Sequence, residues 1–113
     1  MTELIDFADY RRRAAPKQRV RFDRDEFRQL MDCYSRRVMT GEWKDYALDV
    51  YGPVAVFSIF RHSLEAPAYA VAKRRNGKDD EFILRSGKRT LKRARALEDV
   101  LSVFDKPLRL IDG

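Results

Sequence analysis

The sequence predicts an α+β domain: an antiparallel meander of four or five strands, flanked by an N-terminal and a C-terminal helix in a two-layer arrangement. Three observations carry this. Val54 to Arg61 reads Val-Ala-Val-Phe-Ser-Ile-Phe-Arg, apolar on both alternating faces apart from Ser58, with its first charge at the end. Such a run belongs to a strand inside a sheet, covered on at least one side. Turn signals recur at short intervals around it, at Gly52-Pro53, Arg75-Asn76-Gly77-Lys78 and Ser86-Gly87. Short connections between consecutive strands imply antiparallel neighbours. On either side of this region, apolar residues recur at helical spacing.

The first helix starts at Asp23. Asp23 and Glu26 form an Asp-x-x-Glu pattern like a capping box, and Asp25 adds negative charge to the first turn. Phe27, Leu30, Met31, Tyr34 and Val38 make one apolar stripe. Arg36 and Arg37 suit the negative end of the helix, and Gly41 stops it. Strand-like runs follow at Tyr46 to Tyr51, Val54 to Arg61, Ala68 to Arg74 and Glu81 to Arg85, with a loop from His62 to Pro67. The next segment reads two ways. Leu91, Ala94, Leu97, Leu101 and Phe104 have helical spacing, yet Ser86-Gly87 would turn the chain into a fifth strand over Lys88 to Arg93. A helix is required only from about Ala96 to Phe104, with Pro107 ending it. Val20 to Phe22 is either a short strand or the lead-in to the first helix. Residues 1–19 read as a basic arm: Leu4, Phe7 and Ala8 allow one amphipathic turn, which Arg11-Arg12-Arg13-Ala14-Ala15-Pro16 interrupts. Residues 20–113 form the single domain.

The two alternating sets of the Val54–Arg61 strand are Ala55, Phe57 and Ile59, and Val54, Val56 and Phe60. If both helices cover one sheet face, the other face is left to water or to a partner; because both sets are apolar, that second face is either also covered or sticky, and homodimerisation is a natural solution.

The chain has 113 residues and a net charge of +6, and 37% of its residues are charged. That charge welcomes nucleic acid, acidic lipid surfaces and acidic proteins. It is unevenly placed. Residues 85–95 hold Arg85, Lys88, Arg89, Lys92, Arg93 and Arg95 and no acid, so this segment alone equals the net charge of the chain. One cysteine, Cys33, excludes an internal disulfide and a Cys-rich zinc site. A small buried residue is the expectation for it. No apolar run approaches the ~18 residues of a membrane span, and no secretory signal is evident. The expectation is a cytoplasmic protein with no membrane partner.

Two blocks, Gly41-Glu42-Trp43-Lys44-Asp45-Tyr46-Ala47 and Ala55-Val56-Phe57-Ser58-Ile59-Phe60-Arg61, resemble a bacterial family found mainly in alphaproteobacteria, the domain of unknown function family 2794. Leu91-Lys92-Arg93, Leu97 and Val100-Leu101 match it in order and at compatible spacing. The resemblance brings no activity, ligand or catalytic residue. It does imply a break at Ala94, where family members often carry Gly, which favours a fifth strand before the last helix.

No catalytic constellation emerges. His62 is the only histidine, so neither a multi-histidine metal site nor a Ser-His-Asp set can be built. Asp79-Asp80-Glu81 lacks calcium-loop spacing and suits strand protection. Phosphate-binding Gly-rich loops, zinc spacings and nucleophile elbows are missing, so no enzyme and no cofactor are expected. The leading expectation is a binding module that contacts phosphates, single-stranded nucleic acid above all, through Arg85, Lys88, Arg89, Lys92, Arg93 and Arg95. On a strand, Lys88 and Lys92 would point one way and Arg89 and Arg93 the other. Trp43 and Tyr46 are candidates for stacking on bases, against a reading in which Trp43 is core. The alternative function is protein interaction or assembly through the apolar sheet face, as a homodimer or with another protein.

Overall fold

The computed structural model describes residues 19–62 and 65–105. The elements run α1 (Arg24–Met39), β1 (Asp45–Tyr51), β2 (Val54–Phe60), β3 (Tyr69–Asn76), β4 (Asp79–Ser86), β5 (Arg89–Ala94) and α2 (Leu97–Asp105). The five strands pair in sequence order, each antiparallel to the next. The predicted α+β meander is therefore the observed fold, with five strands. The arm expected over residues 1–19 lies outside the described residues except for Arg19, and so does the helix stop at Pro107.

Local signals account for the ends of α1. The Asp23 carboxylate accepts from the Glu26 N–H, and Glu26 Oε1 accepts from the Asp23 N–H, both at 2.8 Å. This reciprocal pair satisfies two of the donors a helix start leaves open. At the other end, the Gly41 N–H donates to the Val38 carbonyl and the Glu42 N–H to the Arg37 carbonyl. That crossed pair needs a left-handed residue between, and Gly41 takes φ +81°. Gly87 resolves the segment that the sequence left open. It adopts φ +62° as the first of two loop residues between the paired Ser86 and Arg89. A glycine there closes a tight hairpin whose twist matches the strands, so residues 89–94 become β5.

Both described helices lie on one side of the sheet. Leu30 and Cys33 of α1 and Leu97, Val100 and Leu101 of α2 join Phe57, Ile59, Val71, Phe82, Leu84 and Trp43 in one cluster. Arg37 ties the helix ends together. It donates to the Phe104 carbonyl of α2 and lies 3.8 Å from the Asp105 carboxylate. The helix-facing side also buries a cation. Lys73 of β3 donates to Glu26 Oε1 at 2.7 Å and to the Arg21 carbonyl at 2.8 Å.

Of the two outcomes open for the second side of the sheet, the structure shows the covered one at its centre. Val54, Val56, Ala72 and Ile83 form a second cluster in which no residue is more than 2% exposed. Its centre is therefore not an open apolar face. Tyr51 and Ala70 pack against this cluster, and the strand register places Arg74, Glu81 and Arg93 on the same side.

Two outcomes test this packing. Phe57 is 1% exposed at the centre of β2, so Phe57→Ala destabilises by about 3–5 kcal/mol in denaturant unfolding; a loss below ~1 kcal/mol contradicts the placement. Glu26→Leu removes the nearer of two carboxylates from the buried Lys73 and half of the capping box, and costs about 3–5 kcal/mol. Adding Lys73→Met to Glu26→Leu restores the part of that loss due to the buried charge, the lost cap remaining. A double variant no more stable than the single one would show that the pair is not coupled.

Candidate functional site

The basic segment 85–95 is divided by the structure. Leu84 of β4 pairs with Lys92, while the next residue, Arg85, pairs with Thr90. Leu91 is thus the extra residue of a bulge, and its side chain packs against the helix-side cluster. The bulge breaks the expected alternation. By register, Arg89 and Lys92 lie on the helix side and Arg93 on the other, whereas simple alternation would have placed Arg89 with Arg93. Lys88 occupies the β4–β5 turn.

The six cations also differ in their surroundings. Lys88, Arg89 and Lys92 are exposed and form no ion pair among the described residues. Arg93 lies 3.9 Å from Glu81, and Arg95 lies 3.9 Å from Asp79. Arg85 is buried at 8% exposure, so it does not share an open basic surface with the others. Lys88, Arg89 and Lys92 are the three of the six that are exposed with no ion pair among the described residues.

The two stacking candidates separate as well. Trp43 is 3% exposed; it meets Phe104 edge-on at 4.9 Å and carries the Arg37 guanidinium 6.0 Å from its ring. Its faces are taken up inside the core. Tyr46 is 37% exposed and stacks on Phe57 at 5.1 Å. It stands on β1, the opposite sheet edge from β5, about 19 Å away at a strand spacing of about 4.8 Å. A base on Tyr46 and a phosphate on Lys92 are therefore not neighbouring parts of one nucleotide.

A feature absent from the sequence expectations appears around Tyr46. Tyr46, Leu48 and Val50 share the helix-facing side of β1, opposite Ile59, Phe57 and Ala55 of β2. Yet they are 37%, 45% and 37% exposed. The helices do not reach over them: α2 packs on β4 and β5, with α1 beside it. Tyr34 of α1 meets Tyr46 edge-on at 5.1 Å, at the margin of the helix layer. Burial and the Asp45 carboxylate push the Tyr34 hydroxyl pKa up, and Tyr46 adds to this. Alternation in the sequence marks these residues as one face but carries no information on how far a helix extends across it.

Among the described residues, no group of three or more His, Cys, Asp or Glu side chains is placed to hold a metal ion. His62 is exposed. Cys33 is buried beside an open groove between the helices, lined in part by Asp32, Arg36, Glu98 and Asp105. No described helix is long and apolar enough to cross a membrane.

These features define a small α+β domain with an open antiparallel sheet, one basic edge and one apolar edge. The chain belongs to the family described as "Protein of unknown function (DUF2794)", whose model matches residues 20–101. No curated protein and no solved structure matches the chain.

Cys33 gives a chemical test of the helix layer. Burial pushes its thiol pKa up, against the opposing pull of the Arg37 charge. A raised pKa means less thiolate at neutral pH, and the thiolate is the reactive form. Iodoacetamide at pH 7 therefore labels the folded protein far more slowly than the urea-unfolded chain. Equal rates would contradict this packing.

Proposed function

We propose that the protein is a non-catalytic assembly module in which β1 pairs with β1 of a second copy. The observation that carries this is the contrast between the two edges of the sheet. Open edges invite pairing with other chains, and proteins block them with charge, proline or bulges. β5 has Arg89, Lys92 and Arg93 and the bulge at Leu91. β1 has no basic residue, no proline and an unbroken register with β2. It presents the exposed stripe of Tyr46, Leu48 and Val50 instead.

The strand complements itself when run antiparallel about Leu48. Tyr46 then faces Val50 of the second copy, and Leu48 faces Leu48, all on the helix side. Asp49 faces Ala47, so no acid stands directly opposite another. The two sheets become one, and the apolar stripe continues across the junction. Backbone hydrogen bonds supply attraction and the alternate side chains set the register. β1 carries two acids and no base in a chain of net charge +6, so this edge is where two basic molecules approach with least repulsion.

Sedimentation tests it. The wild type is expected to be a dimer at micromolar concentration and Leu48→Lys a folded monomer, with little change in unfolding because Leu48 is already exposed. A monomeric wild type, or a dimer that survives Leu48→Lys, rejects the reading.

Phosphate contact by Lys88, Arg89 and Lys92 is the second reading, supported by their exposure and lack of ion pairs. Three contacts to a single strand give log affinity a slope of about −2 against log salt. Fluorescence anisotropy with a labelled oligonucleotide measures that slope, and the triple Gln variant should abolish binding. No binding by the wild type removes this reading and leaves assembly untouched.

A further inference from the structure

The sheet buries two cations, one on each side, and they are treated differently. Lys73, on the helix side, has a carboxylate at 2.7 Å, a second at 3.8 Å and a backbone carbonyl at 2.8 Å. Arg85, on the other side, is 8% exposed and has none of these. Its Nε is sealed from solvent without a hydrogen-bond acceptor, and no carboxylate among the described residues pairs with it. The neighbouring acid on this side of β4 is committed elsewhere: Glu81 accepts from Arg74 at 2.8 Å and lies 3.9 Å from Arg93.

A lysine so placed could shed its proton, but a guanidinium stays charged. A buried donor on a charged group is costly to leave unmet, and the terminal nitrogens of Arg85 are not sealed as Nε is, so an oxyanion can reach the guanidinium. The register supplies the setting for such a partner. Ala47, Ser58, Ala70, Arg85 and Thr90 form one row across all five strands. Three of its side chains, Ala47, Ser58 and Ala70, are small. The hydroxyl next to Arg85 in the row, that of Thr90, is a donor suited to an anion. From this geometry we infer that Arg85 is the anchor of an oxyanion-binding site, taking the carboxylate or phosphate group of a small molecule on the side of the sheet away from the helices. Arginine is suited to both groups, since its planar fork matches two oxygens at once. Thr90, directly opposite Arg85 on β5, is the hydroxyl within reach of the same anion.

The test uses the full chain at constant ionic strength, with chloride exchanged for inorganic phosphate in one arm and for acetate in the other. Saturating oxyanion raises the wild-type unfolding midpoint by at least about 4 °C, and the arm that does so identifies the group preferred. Arg85→Met, which removes the unpaired charge, unfolds at or above the wild-type midpoint in chloride and loses the response to both anions. A wild type that responds to neither anion overturns the site. So does a variant that responds as strongly as the wild type, or one that unfolds well below it in chloride, since that would make Arg85 a packing residue only. Calorimetric titration of the preferred anion into the wild type gives an independent reading. One saturable site is expected, and heat without saturation rejects the proposal whatever the variant does.

Discussion

One carboxylate oxygen of Glu26 holds the domain's two layers in register. Oε1 caps the first turn of α1 through the Asp23 N–H and accepts the buried Lys73 ammonium from the middle of the sheet. The helix start is thereby fixed to β3. From that anchor α1 runs along the sheet until Gly41 turns the chain back, placing Arg37 against the end of α2 and Trp43 beneath both helices. Because the anchor sits over β3, and α2 covers β4 and β5, the helix layer ends short of β1. The exposed stripe of Tyr46, Leu48 and Val50 is a geometrical result of where that attachment lies.

What was legible in the sequence was local. The capping box needs only three residues of separation, the glycine stop only its own conformation, and the meander only its short turns. Period-two alternation correctly sorted Phe57 and Ile59 from Val54 and Val56. The rest depends on relations that periodicity does not carry. Lys73 and Glu26 are 47 residues apart and meet only once the layers close. The bulge at Leu91 reverses the side taken by Arg89, and nothing in Lys-Arg-Thr-Leu-Lys-Arg announces an extra residue. Along the chain, six cations without an intervening acid read as one surface. In space Arg85 lies under the sheet surface, Arg93 and Arg95 stand near acids, and three cations remain free of ion pairs among the described residues.

The two sheet sides also use polar groups to different ends. On the helix side the buried charge is matched, so it contributes register without leaving a deficit. On the far side Val54, Val56, Ala72 and Ile83 provide the apolar packing, while Arg85 introduces a charge that this packing does not satisfy. A site that departs from the local rule of matched burial, within a sheet that otherwise obeys it, is where function is expected to reside.

The sequential pairing of the strands has a kinetic consequence. Every strand lies beside the one before it in the chain, so the sheet can be built from three two-residue hairpins and an eight-residue β2–β3 link. Contacts between near sequence neighbours form quickly, because little loop entropy is lost in closing them. The contact between α1 and β3 spans a far longer stretch of chain. Collapse of the hairpins can therefore precede helix docking, leaving the apolar side of the sheet briefly bare in the newly made chain. In that interval both edges and one whole face are open at once, and the cations of β5 provide the repulsion that keeps such intermediates apart.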